Sequence, residues 1–290
     1  MDVDTGTETV LAEVVDGVGV ITFNRPERRN ALHPEMFDAV PRVIESFLAD
    51  DAVGCIMVTG SGTAFCSGGD VAAGASARAG RGAGAGPVSD DRPPGSGDRT
   101  PDEVVAGQGR ALARDARMVE LLHLSPKVTL AALPGAAVGA GMSIALATDF
   151  RIAARSARLI PGWGQLGFSG DFGGPWFLTR LVGPSRALQL LVDNAAIDMD
   201  TAARLGLVNR VVPDAELAAA ALDWARAIAD GPGAAYRLMK ENVYQAVGTP
   251  LVEALPRESE RMARSAHTED HRRAVERWLA DAEARRNRRS

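Results

Sequence analysis

Apolar residues crowd the start of the chain at the two-residue period of strands. Val10 to Val15 and Val18 to Phe23 are β-branched runs parted by Asp16-Gly17, which predicts an antiparallel hairpin. Asn24-Arg25-Pro26 ends the second strand. From Pro34 the period lengthens. Met36, Phe37, Val40, Val43, Ile44 and Phe47 fall on one helical face, and Asp50-Asp51 closes the helix. Cys55 to Thr59 reads as a short buried strand broken by Gly60-Ser61-Gly62, with Cys66 beyond it in a glycine-bearing loop. Pro101-Asp102-Glu103 opens a helix running to about Leu124, with proline in its first turn and acids at its positive end. Val128 to Leu133 is another short strand, turned by Pro134-Gly135, and Gly139 to Ala147 begins a small-residue helix. Phe150 to Ala154 and Leu159-Ile160 read as further strands. From Gly173 onward the pattern is helical, and Ala215 to Ser290 almost entirely so, with breaks at Gly231-Pro232-Gly233 and Gly248-Thr249-Pro250. Alternating strands and helices predict an α/β core.

One stretch departs from this pattern. From Val71 to Thr100, Gly, Ala, Arg, Ser, Pro and Asp dominate and large apolar residues are nearly absent. Such a segment buries too little surface to offset its ordering entropy, so Ala73 to Arg99 is expected to be a mobile loop.

With 290 residues and a 46% hydrophobic share, the chain has enough material for a sizeable core without staples. A net charge of −5 argues against a general partnership with nucleic acid or anionic lipid. The closing run Arg285-Arg286-Asn287-Arg288-Arg289 reads as a solvated helix end, with a nucleic-acid tail as the alternative. Two cysteines, Cys55 and Cys66, make neither a disulfide framework nor a zinc pattern, and a reducing cytoplasm is expected. Met1 to Glu8 are acidic and polar, unlike a secretory leader. The longest apolar run, Ala136 to Ala147, is too short to span a bilayer.

Two segments share one logic: strand, small-residue loop, then helix. Cys55–Thr59 leads into Phe65-Cys66-Ser67-Gly68-Gly69-Asp70, and Val128–Leu133 into Gly135 to Gly141. A junction without bulky side chains leaves backbone N–H groups free to point at an anion. Two such junctions together can hold a carbonyl oxygen as charge develops on it. The plainer reading is that the glycines only turn the chain. Neither junction contains a GxGxxG or GxxxxGK[ST] run.

These residues carry a resemblance. Asn24-Arg25-Pro26 with Asn30-Ala31-Leu32, then Thr59-Gly60 through Phe65-Cys66-Ser67-Gly68-Gly69-Asp70, then Pro134-Gly135 through Gly139-Ala140-Gly141-Met142 with Asp149 beyond, resemble the ordered motifs of the crotonase (enoyl-CoA hydratase/isomerase) family. Gly167, Gly173-Gly174, Leu181-Val182-Gly183, Ala202 to Asn209 and Thr268-Glu269-Asp270-His271 continue the register. The resemblance spans about residues 9 to 283, with the 73–99 stretch as an insertion. It implies an α/β fold, a crotonase-like spiral of ββα units over residues 1–210, and a helical C-terminal trimerisation region over 211–290. It further implies self-association as a homotrimer or hexamer and an acyl-CoA thioester as partner, with no nucleic acid and no membrane. Coenzyme A would enter as part of the substrate, with no permanently bound cofactor and no metal. The backbone N–H groups of Gly69 and Ala140 would form the oxyanion hole, provided φ at Ala140 is negative. The CoA moiety would lie along Arg29 and Ser67, Gly68, Asp70 and Val71, and Met142 is a further candidate for binding the substrate. Lys240 is a candidate for reaching the nucleotide phosphates, or else a solvated helix residue.

The match has one gap. Hydratases of the family use two glutamates, and their positions fall on Ser143 and Trp163. Shared acid and base work needs both carboxylates. What stands nearby is Asp171, at the position of the proton-shuttling aspartate of some enoyl-CoA isomerases and of the aspartate nucleophile of 4-chlorobenzoyl-CoA dehalogenase. That dehalogenase also carries a tryptophan eight positions earlier, as Trp163 stands here. The active-site pattern is thus closer to these two groups than to the glutamate-dependent hydratases. The rival reading of Asp171 is a helix N-cap. Trp163 reads as a wall of the acyl pocket or as core, and Ser143 as orienting a water or filling space. The dehalogenase's base histidine would fall near Ala116 or Glu120, neither of which is histidine, and His123 on the same helix is a candidate substitute.

The expectation is double-bond isomerisation of an acyl-CoA, with Gly69 and Ala140 stabilising an enolate and Asp171 as the single acid/base. The alternatives are hydration with Asp171 alone, displacement or hydrolysis on an aroyl-CoA, and catalytically silent acyl-CoA binding. The insertion's place after the first junction suggests a lid.

Overall fold

The computed structural model describes residues 1–69 and 100–287. The expected loop over 73–99, with its suggested role as a lid, and the site candidates Asp70 and Val71 lie outside the described residues, as does any helix after Gly69.

The hairpin forms as the alternation predicts: β2 (Val10–Val15) pairs antiparallel with β3 (Val18–Phe23), and β1 (Asp2–Val3) adds an edge. Strands β4 (Cys55–Gly60), β6 (Val128–Leu133), β8 (Phe150–Ala154) and β11 (Arg210–Val212) then join β3 in parallel, in the order β1-β2-β3-β4-β6-β8-β11. A second sheet holds β5 (Ala64–Cys66), β7 (Ala136–Val138), β9 (Arg158–Ile160) and β10 (Ile197–Asp198), in the order β10-β9-β7-β5. Each coil of chain lays one strand in the large sheet and the next in the small one: β4 then β5, β6 then β7, β8 then β9. This is the α/β spiral that the resemblance implies.

The parallel strands β4 and β6 are apolar along nearly their whole length because both faces are covered. Helix α1 (Pro34–Ala49) buries Met36, Ala39, Val40, Val43, Ile44 and Phe47, worth about 2 kcal/mol of transfer free energy for each large side chain. The small helix α4 (Ala140–Ala147) is buried at every position, against β5, β7 and two neighbouring helices. Its alanines and glycine permit that enclosure.

Four expectations need correction. The helix expected from 101 to 124 is two, α2 (Pro101–Asp115) and α3 (Arg117–Leu124), broken at Ala116. Only α3 has a buried face, Met118, Val119 and Leu122, so the two segments follow different partners. Cys66 ends a strand rather than lying in a loop, and β7 stands between the Pro134-Gly135 turn and α4. After Gly173 the chain is not uniformly helical. α5 (Gly174–Val182), α6 (Pro184–Asp193) and α7 (Met199–Arg204) are interrupted by β10 and followed by β11. Those strands are too short to register as a period, and pairing with β8 and β9 decides their form. The later helices α8 (Leu217–Ala229), α9 (Gly233–Ala246) and α10 (Leu251–Ala266) break where the Gly-Pro clusters predict, and α11 (Glu269–Asn287) follows.

A buried polar knot fastens α9 to the sheet. Asp149 Oδ2 accepts from the Thr129 N–H at 2.8 Å, the Thr129 hydroxyl at 3.1 Å and Lys240 Nζ at 2.8 Å. Its Oδ1 accepts from the Tyr244 hydroxyl. The Lys240 and Asp149 side chains are only 10% and 11% exposed, so Lys240 is neither a solvated residue nor free to reach a phosphate. Removing one partner of such a pair leaves an uncompensated buried charge. Asp149→Ala should therefore destabilise the protein by about 3–5 kcal/mol in chemical denaturation. A loss below ~1 kcal/mol would show that α9 is held by its apolar contacts alone.

Candidate functional site

The first junction is zipped to the loop that follows β3. The Ser67 N–H donates to the Arg29 carbonyl at 3.0 Å, the Leu32 N–H to the Gly68 carbonyl at 2.8 Å, and the Ser67 hydroxyl to the Arg28 carbonyl at 3.3 Å. Arg29 has left-handed backbone (φ 50) and is exposed, so Arg29, Ser67 and Gly68 form one strip. Asn30 holds the strip from beneath. Fully buried and left-handed (φ 56), it donates to the Ser61 and Ala64 carbonyls at 2.9 and 2.8 Å and accepts from the Arg25 N–H at 2.8 Å. Asn30 stood inside a quoted motif, but nothing in the sequence assigned it this anchoring. Its tolerance of the left-handed region, with a side chain that satisfies two strands, was the available signal.

The two junctions meet. A Cβ added to Gly68 (φ 83) would lie 2.8 Å from the Val138 carbonyl oxygen and 3.6 Å from the Ala140 nitrogen, so only glycine allows this approach. Buried Cys66 turns its Sγ to accept the Gly68 N–H at 3.4 Å, and burial pushes its thiol up to about 12. Beyond it, Gly69 is exposed, with nothing within 4 Å of where its Cβ would stand. Ala140 is the first residue of α4 and is not left-handed, which meets the condition on φ. Among the described residues, neither the Gly69 nor the Ala140 N–H has an acceptor.

Asp171 is linked to the second junction through Trp163. Trp163 Nε1 donates to Asp171 Oδ1 at 2.9 Å, and the same nitrogen lies 3.8 Å from the Cβ position of Gly139, the residue before Ala140. The indole is 6% exposed, enclosed rather than an open wall. Asp171 does not cap α5. Gly173 holds that place, and it is the Asp171 backbone carbonyl that accepts the Gly174 N–H at 2.9 Å. Burial raises the Asp171 carboxyl above its ordinary range, and the Trp163 hydrogen bond partly offsets this.

Ser143 and Met142 are both fully buried on α4. The Ser143 hydroxyl donates to the Asp171 carbonyl at 3.0 Å, with the Gly139 carbonyl at 3.4 Å. That bond gives it more to do than fill space. His123 packs among Trp176, Phe177 and Tyr244, with ring centroids 5.1, 5.2 and 4.5 Å away. Burial and then Lys240 lower its basicity, and no hydrogen bond or ion pair joins it to Asp171. Ala116 marks the α2–α3 break and Glu120 is exposed. Among the described residues no cluster of three metal-ligating side chains occurs, and no helix is long and apolar enough to cross a membrane.

Comparison with known proteins gives this geometry a context. Residues 13–85 and 105–286 match the family model for enoyl-CoA hydratase/isomerase. The 1,2-epoxyphenylacetyl-CoA isomerase of Escherichia coli (strain K12) is 31% identical over 94% of this chain and 96% of its own. The 4-chlorobenzoyl coenzyme A dehalogenase-2 of an Arthrobacter species is 27% identical over 81% of this chain and 78% of its own. A Thermobifida fusca YX protein crystallised in complex with acetoacetyl-CoA superposes with a TM-score of 0.76 at 32% identity, over 90% of this chain and 96% of that one.

The carboxyl environment is directly measurable. In protein carrying ¹³C-labelled aspartate, Asp171 Cγ should titrate above the ordinary carboxylate range, and Trp163→Phe, which removes the stabilising donor, should move the midpoint further up. A midpoint that stays or falls in the variant would contradict the assignment.

Proposed function

This chain belongs to the enoyl-CoA hydratase/isomerase family, and from that premise we propose that it isomerises the double bond of an acyl-CoA thioester, with Asp171 as the single acid/base. The chain is related to enzymes that act on CoA thioesters. The observation that favours isomerisation is the carboxylate of Asp171, held by a Trp163 indole that reaches the turn before Ala140, with Ser143 and Trp163 where the hydratase glutamates would stand.

The chemistry then balances with one carboxylate. Asp171 takes a proton from C2 of a 3-enoyl thioester, and the electron pair left on C2 is shared with the adjacent thioester carbonyl oxygen and, through the C3–C4 double bond, with C4. Gly69 and Ala140 donate to that oxygen as it becomes negative, which lowers the barrier. The same proton returns at C4, leaving the double bond between C2 and C3. A carboxyl raised by burial suits this, because a base with higher affinity for the proton takes it more readily, provided it is still ionised. The rate should accordingly fall as pH drops through the raised Asp171 value. Arg29, Ser67 and Gly68 form the proposed track for the CoA moiety, continuing through Asp70 and Val71. The acyl group is proposed to be aromatic or unsaturated, since the indole edge of Trp163 meets the carboxylate and Phe172, the next residue, packs in a tilted pair with the half-buried Phe37 at 6.1 Å. The E. coli relative, by its name, acts on 1,2-epoxyphenylacetyl-CoA.

One observation favours a second reading. The Trp163–Asp171 pair has the spacing found in the dehalogenase, and an Arthrobacter dehalogenase is among the relatives. Asp171 would then attack an aroyl ring and expel chloride, but no histidine stands beside it to activate water for the next step.

Assembly is part of the proposal. Residues 211–290 are taken as an oligomerisation region that builds a trimer or hexamer in the cytoplasm. Helix α10 buries none of its residues and exposes Leu251, Val252, Leu255 and Met262, and α11 exposes Trp278 and Leu279. A helix with no buried residue that exposes this many apolar side chains fits an association face. Light scattering should give a mass of three or six chains, and Leu251→Glu with Leu255→Glu should lower it. A monomer in the unaltered protein would contradict this part of the proposal.

The activity is tested by mass spectrometry after incubation in D₂O with trans-3-hexenoyl-CoA, trans-2-hexenoyl-CoA, phenylacetyl-CoA and 4-chlorobenzoyl-CoA. A shifted double bond or incorporated deuterium without added water, lost in Asp171→Ala, is the expected result. A product heavier by one water, chloride release from 4-chlorobenzoyl-CoA, or tight binding with no turnover would each replace the isomerase reading.

A further inference from the structure

We propose that Ser143 is a positioning residue, a clip that fixes the carboxylate of Asp171 relative to the Ala140 N–H. The inference rests on the reading of Asp171 as acid/base and adds how that group is kept in place.

Ser143 lies one helical turn beyond Ala140 on α4, a helix buried at every position. Whatever Ser143 grips is therefore registered against the Ala140 donor through one rigid turn. Its hydroxyl has a single proton to give. The 3.0 Å approach to the Asp171 carbonyl is the better bond, and the 3.4 Å approach to the Gly139 carbonyl is the alternative rotation. That bond reaches across from the helix to the loop that carries the acid.

The loop needs such a hold. Gly170, Phe172 and Gly173 have φ of 106, 50 and 75, so the residues flanking Asp171 occupy left-handed backbone. For a phenylalanine this is costly and persists only where surrounding contacts impose it. The imposing contacts converge on one place. A Cβ on Gly174 would lie 2.6 Å from Ser143 Oγ and 2.4 Å from Trp163 Cη2, so the missing side chain at 174 lets serine and indole close on the same turn. Trp163 then holds the carboxylate of Asp171 while Ser143 holds its backbone. Ser143 is fully buried and has no open face toward a substrate, which separates this role from binding.

The test uses the full chain with Ser143→Ala, which removes the donor, and Ser143→Thr, which keeps it. Asp171→Ala is carried alongside. The first readout is the ¹⁵N–¹H resonance of the Trp163 indole, assigned by its loss in Trp163→Phe. The second is turnover of trans-3-hexenoyl-CoA at a temperature where every variant is folded. In Ser143→Ala the indole resonance should leave its hydrogen-bonded position or double, and kcat should fall roughly tenfold to a hundredfold with KM within about twofold, as misplacement of a reacting group predicts. Ser143→Thr should keep the resonance and most of kcat. An unmoved resonance in Ser143→Ala, or kcat within about twofold of the unaltered protein, overturns the proposal. So does a threonine variant no better than alanine. Retained turnover in Asp171→Ala would instead remove the acid/base reading on which the clip depends.

Discussion

A folded chain gives nearly every enclosed N–H an acceptor, so leaving two open on adjoining junctions constrains everything around them. Among the described residues Ala140 is such a case, buried with no acceptor for its N–H, and Gly69 on the other junction leaves its N–H open at an exposed position. For Ala140 the opening follows from helix geometry, since the first residue of α4 has no carbonyl four positions back. For Gly69 it follows from its exposed place just past the Gly68 turn, whose own N–H is taken by Cys66 Sγ and whose carbonyl is taken by Leu32. The glycine at 68 then lets the first junction come within van der Waals reach of the second.

The remainder of the fold keeps those junctions still. Each lies where a strand of the small sheet ends, so their separation is set by the parallel pairing of β5 with β7. Asn30 pins the loop under the first junction, and the enclosure of α4 pins the second. At the far end of α4, Asp149 gathers Thr129, Lys240 and Tyr244, so the C-terminal helices are fastened to the same strands that carry the site. Polar groups buried this deeply are costly unless fully satisfied, and here each has a partner.

Much of this was legible in the sequence. The β2–β3 alternation, the α1 face and the Gly-Pro breaks of the C-terminal region are local signals, and the chain obeys them. The two small-residue junctions and the register of Asp171 eight residues after Trp163 were also readable, because motif spacing survives without knowledge of contacts. What escaped depends on partners distant in sequence. β10 and β11 become strands only by pairing with β9 and β8. Lys240 reads as a surface helix residue until Asp149, 91 positions away, captures it. Ser143 looks like a space-filler until the Asp171 carbonyl, 28 positions on, is placed against it. The left-handed Phe172 carries no composition signal at all, since bulky residues rarely adopt that backbone.

The central claim is that the Gly69 and Ala140 N–H groups polarise a thioester carbonyl. Isotope-edited infrared spectroscopy of a CoA thioester carrying a ¹³C-labelled carbonyl, free and bound to the protein, measures that polarisation without requiring turnover. The account predicts a carbonyl stretch moved to lower frequency on binding, as two donors draw charge onto the oxygen. A bound carbonyl that absorbs at the frequency it has in water, or higher, would contradict it.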